Sequence, residues 1–381
     1  MKTAKWVWAL LAAVPFLGGC KDFWQAPSST TTTTTATTLS SGYFFVLDEA
    51  TSQVISYNIA SGVLTEVASY SVPSSPLAMT VSPNHAFLYV SSLNGIYVYT
   101  ISSGTLTLGN SGAVIATDPA TVMAVDGTYS WLLEASGATG YLYAIPINSS
   151  TGDLASSTSV AQQVPLVGKT IDQLAISPNN KFVFVACGTN GTAAYAFTPA
   201  NTNPFASAAY VVNAVENTTA GAAVSVAVDS SNRMVYVGEV DAVSSGGGLR
   251  AFALGATGGL TEISGSPFPS GGTGPYSILP KTTNDVVYVG NWNGTSAGNI
   301  TGFSITVSNS TFLLTKLSSS VATGIRPASL VEDSNADFVL AESAGGSPYL
   351  SAYIFDKTTP TQLDLTLTDS TFAGISLASE H

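Results

Sequence analysis

Positive charge is scarce in this chain: lysine and arginine together number 11 against 23 acidic residues, a formal net charge of −12. So few cations cannot displace counterions from a phosphate backbone, and nucleic acid is excluded as a partner. Charged residues of both signs make up only 9% of the chain, against about a quarter in ordinary soluble domains. The polar surface must come from Ser, Thr, Asn and Gly, which suits short strands and tight turns better than helices with Glu and Lys faces. Histidine is almost missing: His85 reads as part of a turn and His381 is the last residue, so neither is placed to act as a general base. With Cys20 and Cys187 alone there is no disulfide framework. The apolar run from Trp6 to Phe16 falls short of the roughly 20 residues that a membrane-spanning helix needs.

What the N-terminus does contain is an export signal. Lys2 and Lys5 give a positive start, the run to Phe16 an apolar centre, and Leu17-Gly18-Gly19-Cys20 a small-residue cleavage site. That tetrapeptide resembles the lipobox of bacterial lipoproteins, which implies acylation of Cys20 and a stable membrane anchor. The expected location is therefore the envelope of a bacterial cell, on its periplasmic side or surface. Residues 21–41 hold a Ser/Thr run from Ser28 to Thr38 with no apolar periodicity to offset ordering, and read as a disordered tether. The organisation expected is a signal over 1–20, a tether over 21–41 and one domain over 42–381. Cys187 then remains the free thiol, at the end of the apolar strand Phe182 to Ala186, a setting for a buried and inert sulfur.

Within that domain an aromatic-x-apolar triplet recurs seven times, beginning at Tyr57, Tyr99, Tyr143, Tyr195, Phe252, Phe303 and Tyr353, every 42 to 57 residues. A period of this length signals an array of small sheets. In the unit Leu77 to Leu108, alternation and turn chemistry mark four strands: Leu77 to Val81, Ala86 to Val90, Ile96 to Ile101 and a short one at Leu106. The residue ending each first strand recurs at Val81, Val125, Ile176, Val228, Leu279, Val331 and Leu377. The array starts in mid-unit, with the second strand Tyr43 to Leu47, and stops on a lone first strand, Phe372 to Leu377. Joining these fragments removes two open sheet edges. The fold predicted is all-β: a seven-bladed propeller of four-stranded antiparallel blades, closed by Phe372 to Ala378 beside the N-terminal blade.

Units of the form Val81-Ser82-Pro83-Asn84 followed by Tyr89-Val90, then a Tyr-x-Ile strand and Ser103-Gly104, resemble the lactonase-type seven-bladed propellers. That family includes the bacterial 6-phosphogluconolactonases. The resemblance covers about residues 43 to 379 and implies this fold and, more weakly, lactone hydrolysis. It also implies an Arg-His pair after a Gly-Pro entering a first strand; the comparable stretch here is Gly274-Pro275-Tyr276-Ser277, where both are replaced.

Loops entering first strands and leaving second strands share one face of a propeller. The second set places Asp48, Glu134, Glu239, Asn291 and Glu342 there, with Glu49, Asp241 and Trp292 alongside; the first supplies Asp118, Lys169, Asp172, Arg326 and Asp369. This reads as an acidic rim able to bind a cation, an amine or a sugar, with Trp292 available to stack on a sugar ring. No metal is expected, since no Asp-x-Asp-x-Asp loop is present, and no cofactor. Arg250 is set aside as the start of a third strand. Three functions follow. One is a lipid-anchored binding or interaction module, monomeric, taking a small molecule, carbohydrate or protein at the channel mouth. The second is a lactone hydrolase with Glu239 or Glu134 as base and Arg326 steadying the oxyanion. The third is a structural protein of the envelope.

Overall fold

The computed structural model describes residues 41–60, 63–116, 119–155, 162–166, 170–205, 221–243, 246–309, 311–333, 336–346, 348–356, 362–369 and 374–380. The expected signal and tether lie outside this set, apart from Ser41, as do Asp118 and Lys169. The described residues belong to one compact unit, Leu39–His381.

Seven antiparallel sheets follow one another along the chain. Blade 1 contains β1 (Ser41–Asp48), β2 (Gln53–Ala60) and β3 (Val63–Ser71), and blade 2 contains β4 (Pro76–Val81), β5 (Phe87–Ser92), β6 (Gly95–Ser102) and β7 (Thr105–Leu108). Blade 3 is β8 (Val122–Val125), β9 (Trp131–Ser136), β10 (Tyr141–Pro146) and β11 (Gln162–Pro165), and blade 4 shows β12 (Gln173–Ile176), β13 (Phe182–Ala186) and β14 (Thr192–Ala196). Blade 5 runs through β15 (Ala222–Val228), β16 (Met234–Val243), β17 (Gly246–Leu254) and β18 (Leu260–Glu262), with the short β19 (Phe268–Pro269) also paired to β17. Blade 6 is β20 (Gly274–Pro280), β21 (Val286–Asn293), β22 (Ser296–Ser308) and β23 (Thr311–Ala322). Blade 7 is β24 (Ile325–Glu332), β25 (Phe338–Gly346), β26 (Leu350–Phe355) and β27 (Leu363–Asp369). The last strand, β28 (Gly374–Glu380), pairs with β1, from Tyr43 opposite Glu380 to Leu47 opposite Ser376. Blade 4 thus shows three strands among the described residues where four were expected. The expected start of the closing strand, Phe372, lies outside the described residues, and the strand runs on to Glu380, two residues past the expected Ala378.

The recurring turn after each first strand has a chemical cause. Its first residue, Ser82, Asp126, Ser177, Asp229 or Asp333, accepts the amide that opens the second strand: Phe87 at 3.0 Å, Trp131 at 2.6 Å, Phe182 at 2.9 Å, Met234 at 2.9 Å and Phe338 at 2.6 Å. Three residues on, His85, Tyr129, Asn180, Asn232, Asn284 and Ala336 all adopt the left-handed conformation that closes so tight a reversal. Measured from this turn, the first strands of blades 6 and 7 end at Pro280 and Glu332, one residue beyond the expected Leu279 and Val331.

Hydrophobic clusters fill the seams between adjacent blades. Phe338 and Leu340 of blade 7, for example, pack with Phe44 and Val46 of blade 1. Three tyrosines of the repeated triplet also staple their blade to the one before it. The hydroxyls of Tyr99, Tyr195 and Tyr353 donate to the carbonyls of Ser71, Pro165 and Ala322, each the last residue of a preceding outer strand. An aromatic there covers the seam while its polar end is satisfied. The first strands β4, β8, β12, β15, β20, β24 and β28 adjoin one another in turn around the axis. Two of these contacts are locked by serine: Ser225 Oγ donates to Pro275 O at 2.6 Å, and Ser277 Oγ to Pro327 O at 2.9 Å.

Candidate functional site at the axial opening

Five of the expected rim residues lie inside the molecule. Asp48, Glu134, Glu239, Asn291 and Glu342 are all buried. Nor do they share one position. Counted from the start of the second strand, Glu134 is the fourth residue, Glu342 the fifth and Glu239 the sixth. Neighbouring residues of a strand face opposite ways, so Glu342 turns toward the next blade while Glu134 and Glu239 turn toward the preceding one.

Most of these groups are consumed by local structure. Asp48 Oδ1 accepts the amide of Ala50 at 2.9 Å, and its Oδ2 the hydroxyl of Thr51 at 2.7 Å, which shapes the β1–β2 turn past Glu49. Asn291 donates to Ser270 O and Asn299 Oδ1, both at 3.0 Å. Glu239 accepts from Arg250 Nε at 2.8 Å, and Arg250 Nη1 donates to Glu262 at 2.6 Å. Burial raises the Glu239 carboxyl, opposed by the bond and charge of Arg250. Arg250 is the fifth residue of β17 and buried, so setting it aside as a strand start missed its role. Asp241 lies in β16 and Asp369 ends β27, with their side chains outside the described set. Cys187 is buried, and burial pushes its thiol up to about 11, as expected of an unreactive sulfur.

A different group of residues meets at the axis. At the entrance to β20, Tyr276 sits in a β-bulge between Pro275 and Ser277. Trp292, at the end of β21, meets it edge-on with ring centroids 5.8 Å apart. From blade 7, Arg326 places its guanidinium carbon 5.1 Å from the centre of the Tyr276 ring, a distance at which the ring face attracts a cation. Arg326 is itself the bulged residue between Ile325 and Pro327, and its φ is 59°. Among the described residues no other non-glycine residue inside a strand has a positive φ, and such strain is of the kind concentrated at functional sites. Its guanidinium has no ion-pair or hydrogen-bond partner among the described residues. Partial burial raises the carboxyl of Asp172, ahead of β12, and the charge of Arg326 lowers it. Blades 4 and 7 stand on opposite sides of the ring, so these two charges meet only across the opening. Of the residues expected at the rim, then, Arg326, Trp292 and Asp172 converge and the carboxylates leaving the second strands do not.

The comparisons with known proteins agree with this architecture. Residues 33–211 match the family model described as lactonase, 7-bladed beta-propeller. Over that stretch the chain is similar to the lactonase-type propellers. No curated protein matches the chain. Among solved structures, this chain is similar to the periplasmic gluconolactonase of Pseudomonas aeruginosa, with a TM-score of 0.69 and 16% identity over 89% of this chain and 99% of that one. A Bacteroides uniformis protein proposed to be a 6-phosphogluconolactonase gives 0.71 and 16% over 90% and 100%. A Lactobacillus plantarum protein gives 0.70 and 17% over 89% and 99%. At these identities the likeness is one of fold.

Proposed function

We propose that this protein is a binding module of the bacterial envelope, tethered through an acylated Cys20, whose lactonase-type propeller takes a small organic acid at its axial opening. The observation that supports it is Arg326: on a strained backbone, an exposed guanidinium with no ion-pair or hydrogen-bond partner among the described residues is held over Tyr276, with Trp292 as a second wall. A guanidinium recognises a carboxylate in two-point fashion, and the aromatic faces suit the C–H surface of a sugar acid. Calorimetric titration of the purified chain with D-gluconate should give saturable binding that weakens tenfold or more in Arg326→Ala. Equal affinity in the variant would sink the assignment. Acylation is tested by mass spectrometry of the membrane fraction, where an unmodified Cys20 would refute it.

Lactone hydrolysis is the second reading, favoured by the gluconolactonase among similar folds and by Asp172 standing opposite Arg326. In that reading Asp172 activates water and Arg326 steadies the oxyanion. Glu239 serves less well as a base because Arg250 already holds it. Turnover of glucono-δ-lactone lost in Asp172→Asn but kept in Glu239→Gln would select this reading over binding alone.

A further inference from the structure

The fifth residue of the second strand is Ser91, Ala135, Ala186, Gly238 and Gly290 in blades 2 to 6. The reason for small residues is steric. A Cβ on Gly238 would fall 2.2 Å from Ser225 Oγ and 2.4 Å from the Pro275 carbonyl, and one on Gly290 would fall 2.3 Å from Ser277 Oγ. Blade 7 breaks the rule with Glu342. Its opposite number across the seam departs as well: where blades 6 and 7 bring Pro275 and Pro327, the closing strand brings Gly374, paired in register with Asp48 as Pro275 is with Asn291. A glycine facing a proline has become a glutamate facing a glycine. The side chain so admitted is fully buried, and neither Oε1 nor Oε2 has a hydrogen-bond partner among the described residues.

Arg326 stands next to it on the neighbouring strand, bulged beside Pro327, which pairs with Ser343. The two make no ion pair within 4 Å. We propose that Glu342 is the positioning residue of the axial opening: held as the uncharged acid, it leaves Arg326 without a counter-charge and so free to meet an anionic ligand. This rests on the reading of the opening as an acid-binding site. Burial lifts the carboxyl to about 8, against the single opposing pull of Arg326. Other charged groups around the seam are engaged or distant. Glu332, at the far end of β24, accepts from the Thr282 amide, Asp48 of β1 is bound in its own turn, and Tyr353 of β26 donates to Ala322. Tyr349 precedes β26, Glu380 stands at the opposite end of β28, and Asp172 faces Arg326 across the opening. Ionising Glu342 would set an anion beside Arg326, drawing the guanidinium inward and repelling a bound acid.

The test is calorimetry of the full chain with D-gluconate from pH 6 to 9.5, in buffers of differing ionisation heat. Wild type should bind with proton uptake near pH 8 and lose at least fivefold in affinity between pH 7 and 9. Glu342→Gln, a neutral isostere, should bind at the wild-type pH 7 strength with a flat profile and no proton uptake. Should that variant fail to fold, the wild-type buffer series alone decides, since binding that depends on Arg326 without proton uptake overturns the proposal. A variant keeping the wild-type pH slope overturns it too, while the acid-binding reading survives both results. Absence of binding at every pH removes that reading, and this role for Glu342 with it.

Discussion

Single residues in this molecule are decided by what the neighbouring blade puts opposite them. Gly238→Ala should destabilise by about 1–3 kcal/mol in urea unfolding, because its methyl has nowhere to go. Gly259→Ala, at a position where a Cβ meets nothing within 4 Å, should be neutral or stabilising by up to about 1 kcal/mol through the unfolded chain. Arg250→Met strands Glu239 in the 4–5 seam and should cost about 3–5 kcal/mol at neutral pH. The loss should shrink in acid, where the stranded carboxyl takes up a proton; a loss that does not vary with pH would refute the ion-pair account. The sequence showed Glu239, Asn291 and Glu342 as polar residues closing apolar strands, and Arg326 and Trp292 near the same face. It could not show burial, because an acid on an open rim and one in a seam follow the same strand pattern. Arg250 did carry a signal: it stands two residues before Phe252, on the core-facing side of its strand, where a charge needs a partner.

At the level of strands and turns, the reversal after each first strand is a device for supplying backbone acceptors. Asp229 Oδ1 takes the amides of both Arg233, at 2.6 Å, and Met234, at 2.9 Å. Asp229→Ala should therefore cost about 1.5–3 kcal/mol, with faster hydrogen exchange confined to β15 and β16. Asn232 has φ 58° and accepts the Asn179 amide of the preceding blade through its side chain. A β-branched residue there should cost more than glycine, with the difference seen in thermal midpoints. These elements were the most legible part of the chain, since alternation locates strands and Ser-Pro-Asn or Asp-Ser-Ser locates turns without tertiary information. Strand ends were less so. Leu279 and Val331 misplace them by one residue, because Pro280 and Glu332 break the apolar pattern by which the strand end was judged, and the hydrogen bonds of the turn, not hydropathy, fix the boundary.

For the molecule as a whole, burial of Glu342 makes stability depend on pH. Its folded-state carboxyl is raised to about 8 from a value near 4.5, so the folded chain holds a proton that the unfolded chain releases between those values. Stability should fall as pH rises across that window and level off above it. Glu342→Gln should flatten the slope and raise the thermal midpoint at pH 8; a parallel slope in the variant would show that another group titrates. Truncation after Asp369 should expose the edge of β1, with aggregation and loss of a single unfolding transition as the measurable signs. Seven blades and their closing strand were foreseeable from the mid-unit start and finish of the repeat. The acid in the last seam was not, since the pattern of a strand does not say whether the acid that ends it meets solvent or the neighbouring blade. Pairing β28 with β1 also orders events during biosynthesis. The blade that contains β1 stays incomplete until the final few residues are available, so a chain synthesised from its N-terminus carries an unsatisfied strand edge until its synthesis is almost finished. The slowest step in maturation should then be capture of that late segment across a loop of more than three hundred residues.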